Sequence, residues 1–438
     1  MKLIAHGFLW LFFYVVMAVA PLVVAFTGGG DGGRGFWTEL SVGLGFVGLA
    51  VLGLQFAVTA RSNGVDTPYG LDVVLQFHRE MSFVGLALVL VHPLILFVSG
   101  AAPWALLQVL DAPWRARFGV LAVVALLLLV ATSVWRKAMR LSSEVWRVAH
   151  GVLAATVMIA GLAHVVGVGH YVSGPLHRAV WTFMSLCVVG LIVWVRVVKP
   201  ILILRRPWEV RDVVQRAPGV HSLVLAADGH DGMRFQPGQF VWLTVGRSPL
   251  RITEHPFSLS SSADVHDEVE LTIKALGDFT GSVPELEVGT AAYLDGPYGV
   301  FTYERNEAAG FVFVVGGIGI TPALSMLRTL ADRGDRRPLL LVYANSTEED
   351  IAFRDELDRL GHELDLRVVH VLDDPSEGWD GEAGYVTSEL LDRHLPEHPE
   401  RHEHFLCGPA VMMDAVTDGL LDQGVPLERI HSERFDFI

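Results

Sequence analysis

The sequence predicts an all-α bundle of six membrane-crossing helices, followed by an antiparallel β-barrel and an α/β doubly wound domain. Three observations predict this order. Apolar residues fill 51 % of the 438 positions, yet the stretches long enough to cross about 30 Å of hydrocarbon all fall in the first 206 residues. Residues 1–206 carry 15 Lys and Arg against 7 Asp and Glu, a net of +8, whereas residues 207–438 carry 18 against 41, a net of −23. Beyond Arg206 the apolar runs shorten to strand length and are broken by Pro, Gly and Asp. A basic, charge-poor half and an acidic, charge-rich half do not share one solvent, which excludes a purely cytosolic enzyme.

The six spans cover approximately residues 6–26, 40–60, 73–99, 117–135, 144–168 and 177–203. Lys2 before an apolar run ending near Ala18, Val19 and Ala20 has the look of a signal peptide. The apolar part, however, continues from Gly7 to Phe26, beyond the roughly 7–15 residues of a signal's apolar region, so it reads as a span. An even number of spans puts both termini on one side. Eleven of the 15 basic residues fall on that side, and only Arg34, Arg115, Arg117 and Arg178 fall on the other. The excess predicts a multi-pass protein of the cell membrane with a cytoplasmic N-terminus and a cytoplasmic C-terminal half. The glycine-rich TGGGDGGRG at 27–35 becomes an outer flexible loop, and no chemistry is assigned to it.

Cys187 and Cys407 are the only cysteines and no CxxCH occurs, so neither a disulfide framework, a four-cysteine iron–sulfur cluster nor a c-type haem can be built within one chain. A redox centre must then be an organic cofactor or a metal held by histidine. The acidic back half also argues against nucleic acid as a partner, since phosphate binding needs a basic face.

Histidines are placed for the second option. The third span carries His78 and His92, the fifth carries His150 and His164, and each pair is separated by 14 residues. Fourteen residues come within about 40° of four full helical turns, so each pair lies on one face, about 21 Å apart along the axis. Alternating spans make the third and fifth parallel. His78 then faces His150 near the cytoplasmic side and His92 faces His164 near the outer side, giving the axial ligands of two stacked b-type haems. A single membrane histidine can equally be hydrogen-bonded to a neighbour; equal spacings in two parallel spans favour ligation. His6, His170 and His177 lack a partner at such spacing and read as interfacial.

After Arg206, HSLVLAA (221–227), QFVWLTV (239–245) and VELTIKAL (269–276) alternate as barrel strands do. Among them, HPFSLSS (255–261) follows an exposed loop, and GDFTGSV (277–283) is a glycine-opened turn entering a helix. Such a turn points N–H groups and the Thr280 and Ser282 hydroxyls toward an anion such as a pyrophosphate. From Phe311, strands and helices alternate: FVFVV, a helix from Ala323, PLLLVY, a helix around Asp350 to Leu360, LRVVHV, and HFLCG before a last helix. That is the order of a doubly wound parallel sheet. Its first turn, GGIGITP (316–322), lets backbone approach a phosphate closely, although it is not the common GxGxxG.

HPFSLSS, GDFTGSV, GPYG (296–299), GGIGITP, LCGP (406–409) and the aromatics of SERFDFI resemble the ferredoxin-reductase-like flavoprotein module. Joined to six spans with equal histidine spacings, practically the whole chain resembles the ferric reductase and NADPH oxidase superfamily in a compact bacterial form. The resemblance implies three domains: a ferric-reductase-like bis-haem membrane domain at 1–206, an FAD-binding β-barrel at 207–304 and an NAD(P)-binding α/β domain at 305–438. It implies that His255, Pro256, Phe257, Ser258, Leu259 and Ser260 cradle the flavin, with Ser258 near its N5. Lys274, Gly277, Asp278, Thr280, Gly281 and Ser282 complete the FAD site, the last turn holding the pyrophosphate. Gly316, Gly317, Gly319, Thr321 and Pro322 would bind the nicotinamide nucleotide, with Cys407, Gly408 and Pro409 beside the nicotinamide. Phe435 would stack on the flavin, ahead of Phe437. His255 stands where many relatives have Arg, as it commonly does in the oxidase branch.

The implied activity moves electrons from cytoplasmic NADH or NADPH through FAD and two haems to an acceptor outside, with no residue acting as acid or base. The expected acceptor is dioxygen, giving superoxide; a ferric chelate and a periplasmic redox partner are the alternatives, and a membrane anchor without haem is a third. Glu348, Glu349 and Asp350 after the second strand of the α/β domain lean toward NADH, while Arg354 remains within reach of a 2′-phosphate.

Overall fold

In the computed structural model, residues 2–27, 34–60, 70–172, 174–246, 248, 254–305 and 307–434 are described. Phe435, Phe437, Arg61 and most of the glycine-rich TGGGDGGRG segment lie outside them. The chain divides into two compact units near residue 200.

The first unit is helical. Its helices are α1 (Lys2–Thr27), α2 (Phe36–Val58), α3 (Leu71–Val98), α4 (Trp114–Val134), α5 (Ser143–Val168) and α6 (Pro175–Val193). α6 runs on through a π-helical turn, Trp194–Val198, into Lys199–Leu204. Among the described residues, six helices are long and apolar enough to cross a membrane. Large apolar side chains such as Leu94, Ile159, Phe183 and Leu186 point outward, the inverse of a soluble bundle and what a hydrocarbon solvent requires. α2 is the interior helix: half of its span is buried, against 17 % or less for the others. Glycines allow that position. A Cβ on Gly48 would lie 2.9 Å from Val89, and one on Gly161 would lie 2.8 Å from Leu49, so α3 and α5 approach α2 only over missing side chains. α5 starts where Ser142 accepts a hydrogen bond from the Val145 N–H, and it stops at Gly169, whose φ of 73° is left-handed.

The second unit opens with six antiparallel strands: β1 (Trp208–Ala217), β2 (Val220–Ala227), β3 (Phe240–Val245), β4 (His255–Ser258), β5 (Glu268–Lys274) and, after the short α7 (Asp278–Ser282), β6 (Ala291–Tyr298). They pair in the order β4-β3-β6-β1-β2-β5, and a bridge between Leu259 and Leu271 joins the two edges into a barrel. Trp208, Leu223, Leu225, Leu243 and Leu271 fill it, alternating with outward polar residues, and Val283 is buried in the same core.

Parallel strands follow: β7 (Phe311–Gly316), β8 (Leu339–Asn345), β9 (Leu366–Leu372), β10 (Glu382–Ala383), β11 (Glu403–Cys407) and β12 (Ile430–Glu433). Between them run α8 (Ile320–Asp332), α9 (Arg354–Glu363), α10 (Ser388–His394) and α11 (Ala410–Asp422). The order is β10-β9-β8-β7-β11-β12. β7 is buried along its whole length, as a central parallel strand must be. Chain order reverses beside it, so the crevice between the ends of β7 and β11 is the switch point where such sheets take ligands. α9 begins at Arg354 and not near Asp350 as the sequence suggests. The Asp350 carboxylate accepts from the Thr347 N–H and hydroxyl, holding a separate turn, and Phe353 at φ 62° breaks the path before the helix.

Barrel and sheet are joined by charge. On α8, Arg328 donates to Glu270 of β5 (2.7 Å), to the Ser260 carbonyl (2.8 Å) and through two nitrogens to Glu356 of α9 (2.7 and 2.8 Å). Arg216 of β1 reaches the other Glu270 oxygen at 3.0 Å. Both guanidinium groups lie over the Phe353 ring.

Candidate functional site

The four membrane histidines meet in two pairs. His78 of α3 and His150 of α5 have ring centres 6.3 Å apart, and so do His92 and His164. The His92 and His164 rings rest on glycine. A Cβ on Gly45 would lie 3.1 Å from the His92 ring, and one on Gly119 would lie 3.0 Å from the His164 ring.

Every one of the four Nδ1 atoms faces an oxygen. His92 Nδ1 lies 2.9 Å from the Ser41 carbonyl, and His164 Nδ1 lies 2.8 Å from the Arg115 carbonyl. His78 Nδ1 lies 3.1 Å from the Gln55 side-chain oxygen. His150 Nδ1 lies 3.2 Å from the Ser133 hydroxyl, whose own proton goes to the Leu129 carbonyl. Acceptors at all four positions place the imidazole proton on Nδ1 and leave the lone pair on Nε2. That is the arrangement of metal-ligating histidines.

The spacing fits a metal between each pair. Two metal–nitrogen bonds of about 2 Å, each extended by about 1.1 Å to a ring centre, span about 6.2 Å, close to the observed 6.3 Å. Among the described residues no three His, Cys, Asp or Glu side chains gather at one point. His78 with His150, and His92 with His164, could each hold a metal centre. His170 and Tyr171 meet edge to face at the end of α5, and His177 is buried beside Gly174, so His177 is enclosed where the sequence reading expects an interfacial side chain.

In the barrel, His255, Pro256 and Phe257 are half-buried along β4, and His255 stacks on Phe279 of α7 at 4.1 Å and 11°. Phe257 lies 6.2 Å from the same ring. Ser258 is nearly closed off, while Leu259 sits fully buried in the barrel core and Ser260 donates to the Glu270 carbonyl and meets the Thr272 hydroxyl. These two residues close the barrel. The 277–282 turn presents exposed Gly277 and Gly281 with open space above them, beside exposed Lys274 and Asp278. Its hydroxyls work within the turn: Thr280 accepts from the Leu276 and Gly277 N–H groups, and Ser282 donates to the Phe279 carbonyl. Those hydroxyls and the N–H groups of Leu276, Gly277 and Gly281 are thus bonded within the turn.

At the switch point, the 316–322 turn and the 407–409 turn lock together. A Cβ on Gly408 would lie 2.9 Å from the Gly316 nitrogen, and one on Gly316 would lie 2.9 Å from Pro409. Gly317, at φ 53°, faces open space, so that position requires glycine for its backbone and leaves the approach clear. Thr321 donates to the Ile318 carbonyl, and Pro322 is buried in the first turn of α8. Burial pushes the Cys407 thiol well above its usual range, with Glu433 adding to the effect, so it stays a neutral thiol. Beyond β8, Arg354 is paired with Glu348, whose other oxygen accepts from Ser376 at 3.3 Å, and the guanidinium lies 5.8 Å from the Trp379 ring.

Six membrane helices, two imidazole pairs, a flavin-type barrel and a nicotinamide-type sheet define a membrane redox protein with FAD- and NAD(P)-binding domains. Three family models match successive stretches: "Ferric reductase like transmembrane component" at 44–161, "FAD-binding domain" at 228–302 and "Oxidoreductase NAD-binding domain" at 313–418. Together they give the chain a ferric reductase/NADPH oxidase-like architecture. The NADH-cytochrome b5 reductase 1 of Debaryomyces hansenii is 34 % identical over 177 residues, which is 38 % of this chain and 62 % of that protein. The glycine betaine monooxygenase reductase subunit of Chromohalobacter salexigens is 31 % identical over 235 residues, 51 % of this chain and 62 % of that one. The match thus spans under two thirds of these relatives. Among solved structures, the FAD/NAD binding domain of a Vibrio cholerae nitric oxide dioxygenase is 27 % identical, with a TM-score of 0.48 over 52 % of this chain and 98 % of that one. The cytochrome b5 reductase domain of Ulva prolifera nitrate reductase is 21 % identical, with a TM-score of 0.47 over 52 % and 97 %.

Proposed function

We propose that this chain is a transmembrane oxidoreductase that takes electrons from cytoplasmic NAD(P)H, passes them through FAD and two b-type haems, and delivers them outside the membrane to dioxygen, giving superoxide. The observation that carries the reading is the pair of 6.3 Å imidazole separations with all four Nδ1 atoms hydrogen-bonded to acceptors. The chemistry that bound FAD supplies is the division of a hydride's two electrons into single ones, and that of the haems is single-electron passage.

In this reading His78 and His150 hold the inner haem, His92 and His164 the outer one, and the bundle supplies the apolar surround. His255, Pro256, Phe257 and Ser258 position the flavin ring, and the N–H groups of the 277–282 turn, next to Lys274, hold the pyrophosphate. Gly316, Gly317 and Gly319 bring backbone to the nucleotide, Cys407 and Pro409 border the nicotinamide, and Phe435 covers the flavin. A cytoplasmic flavin and nucleotide domain follows from the excess of basic residues on the side of the termini. The Glu348 partner of Arg354 favours NADH, because the cation that would meet a 2′-phosphate already has a carboxylate.

A ferric chelate as acceptor is the second reading, supported by the match of residues 44–161 to a ferric-reductase-like transmembrane family model. A periplasmic redox partner is a third, supported by the reductase-subunit relative. Purified, FAD-supplied protein should consume NADH with superoxide formed in step. Ferric-chelate reduction without superoxide would favour the second reading, and no turnover with either acceptor would favour the third. Unchanged outer-face reduction after His92→Ala would exclude a haem path altogether.

A further inference from the structure

We propose that Gln55, on α2, is a positioning residue for His78 and sets how strongly that imidazole donates to a metal; the proposal rests on the haem reading above. Gln55 is 5 % exposed in the middle of the bundle. A buried amide in a hydrocarbon-solvated bundle must be fully bonded, and this one is. Its Nε2 donates to the Tyr14 hydroxyl at 2.8 Å and to the Val51 carbonyl at 3.1 Å, and its Oε1 lies 3.1 Å from His78 Nδ1.

These contacts permit one orientation of the amide. The Val51 carbonyl only accepts, so the amide nitrogen must face it. A half-turn of the amide would set two oxygens together at Val51 and Nε2 against His78. With Oε1 held toward His78, Nδ1 keeps its proton and Nε2 carries the lone pair. Tyr14, Gln55 and His78 therefore form a chain from α1 through α2 to α3 that fixes both the ring and its tautomer.

The outer layer is built differently. His92 and His164 lean on the main-chain carbonyls of Ser41 and Arg115, which no substitution at those positions removes, and the Ser41 hydroxyl, which donates to the His92 carbonyl, adds a second oxygen 2.9 Å from His92 Nδ1. Gln55 is a side chain, so the inner ligand is adjustable through sequence. An acceptor on Nδ1–H raises the basicity of the opposite nitrogen. That favours ferric over ferrous iron and lowers the inner potential. Gln55→Leu removes the acceptor at similar volume, and Gln55→Glu replaces it with a stronger one.

The test is a potentiometric titration of haem-replete full-length protein in detergent, following the Soret and α bands of the wild type, Gln55→Leu, Gln55→Glu and Tyr14→Phe. One of the two midpoint potentials should rise in Gln55→Leu, fall in Gln55→Glu and rise by less in Tyr14→Phe, the other staying fixed. A tenfold change in relative affinity for the two oxidation states is about 59 mV for one electron. Selective loss of one haem in Gln55→Leu at normal yield would equally support the proposal, matching the roughly 10- to 100-fold weakening expected of a lost supporting bond. If Gln55→Leu does not accumulate, the other two variants decide. Unchanged potentials and two retained haems in the variants that fold would overturn the proposal. Absence of low-spin haem from the wild type would instead defeat the haem reading on which it rests.

Discussion

Gly319 and Cys407 meet main chain to main chain: a Cβ on Gly319 would lie 2.3 Å from the Cys407 carbonyl oxygen. The contact brings the first turn of the parallel sheet onto the turn after β11 and shapes the floor of the proposed nucleotide crevice.

Gly319→Ala should therefore damage structure and binding together. Backbone has nowhere to go at that distance, and overpacking of this kind costs about 1–3 kcal/mol. The contrast is Gly317→Ala, whose Cβ would enter open space at φ 53°, a strain of about 1–2 kcal/mol for a non-glycine residue. Titration of NADH against both variants, with thermal unfolding alongside, should show the larger fall in melting temperature for Gly319→Ala. Gly317→Ala should weaken nucleotide binding through its intruding methyl. Equal effects on melting would contradict the geometry.

The Arg328 clamp should govern how barrel and sheet stay docked. Arg328→Met leaves Glu270 and Glu356 with one charge partner fewer in a largely buried setting, and removing one member of such a pair costs about 3–5 kcal/mol. Thermal unfolding of the full chain reads this directly, and a loss below about 1 kcal/mol, the size of an exposed pair, would show the clamp to be unimportant.

The same clamp predicts an acid limit. Burial by itself raises the Glu270 carboxyl, but Arg328 and Arg216 outweigh it and hold the group below its ordinary value. A depressed carboxylate contributes stability that is present above the unfolded value of about 4.3 and is lost as pH falls through the lower folded value. Unfolding midpoints should fall below about pH 4, and less steeply in Glu270→Gln than in the wild type. Parallel curves would contradict the prediction.

Glu348→Gln should relax nucleotide choice. The Glu348–Arg354 pair is exposed, so the carboxylate holds the guanidinium only weakly. Freeing Arg354 should raise the NADPH-to-NADH ratio of kcat/KM by up to about fivefold. An unchanged ratio would show that Arg354 does not reach the 2′ position.

The histidine spacing is legible in the sequence because helical periodicity alone determines that residues 14 apart share a face, and alternation of spans makes α3 and α5 parallel. Gln55, Ser41, Ser133, Gly45 and Gly119 are not legible, since which of their atoms meets which ring depends on helix packing that no local pattern encodes. The strand and turn motifs of the second unit read cleanly for the same reason the spans do: each is a local signal. The exceptions are local too. Thr280 and Ser282 have the residue types of an anion site, yet a tight turn must first satisfy its own N–H and C=O groups, and their hydroxyls are used there. Likewise the sequence starts the second helix of the sheet domain near Asp350, but that carboxylate holds a separate turn and the helix begins at Arg354.

The most direct test is optical and EPR spectroscopy of the intact, haem-replete chain beside four single variants, His78→Ala, His150→Ala, His92→Ala and His164→Ala. Two low-spin, six-coordinate irons per chain are expected in the wild type, with the same iron perturbed by His78→Ala and His150→Ala and the other by His92→Ala and His164→Ala. Fewer than two such irons, or a histidine whose replacement leaves both signals intact, would contradict the account.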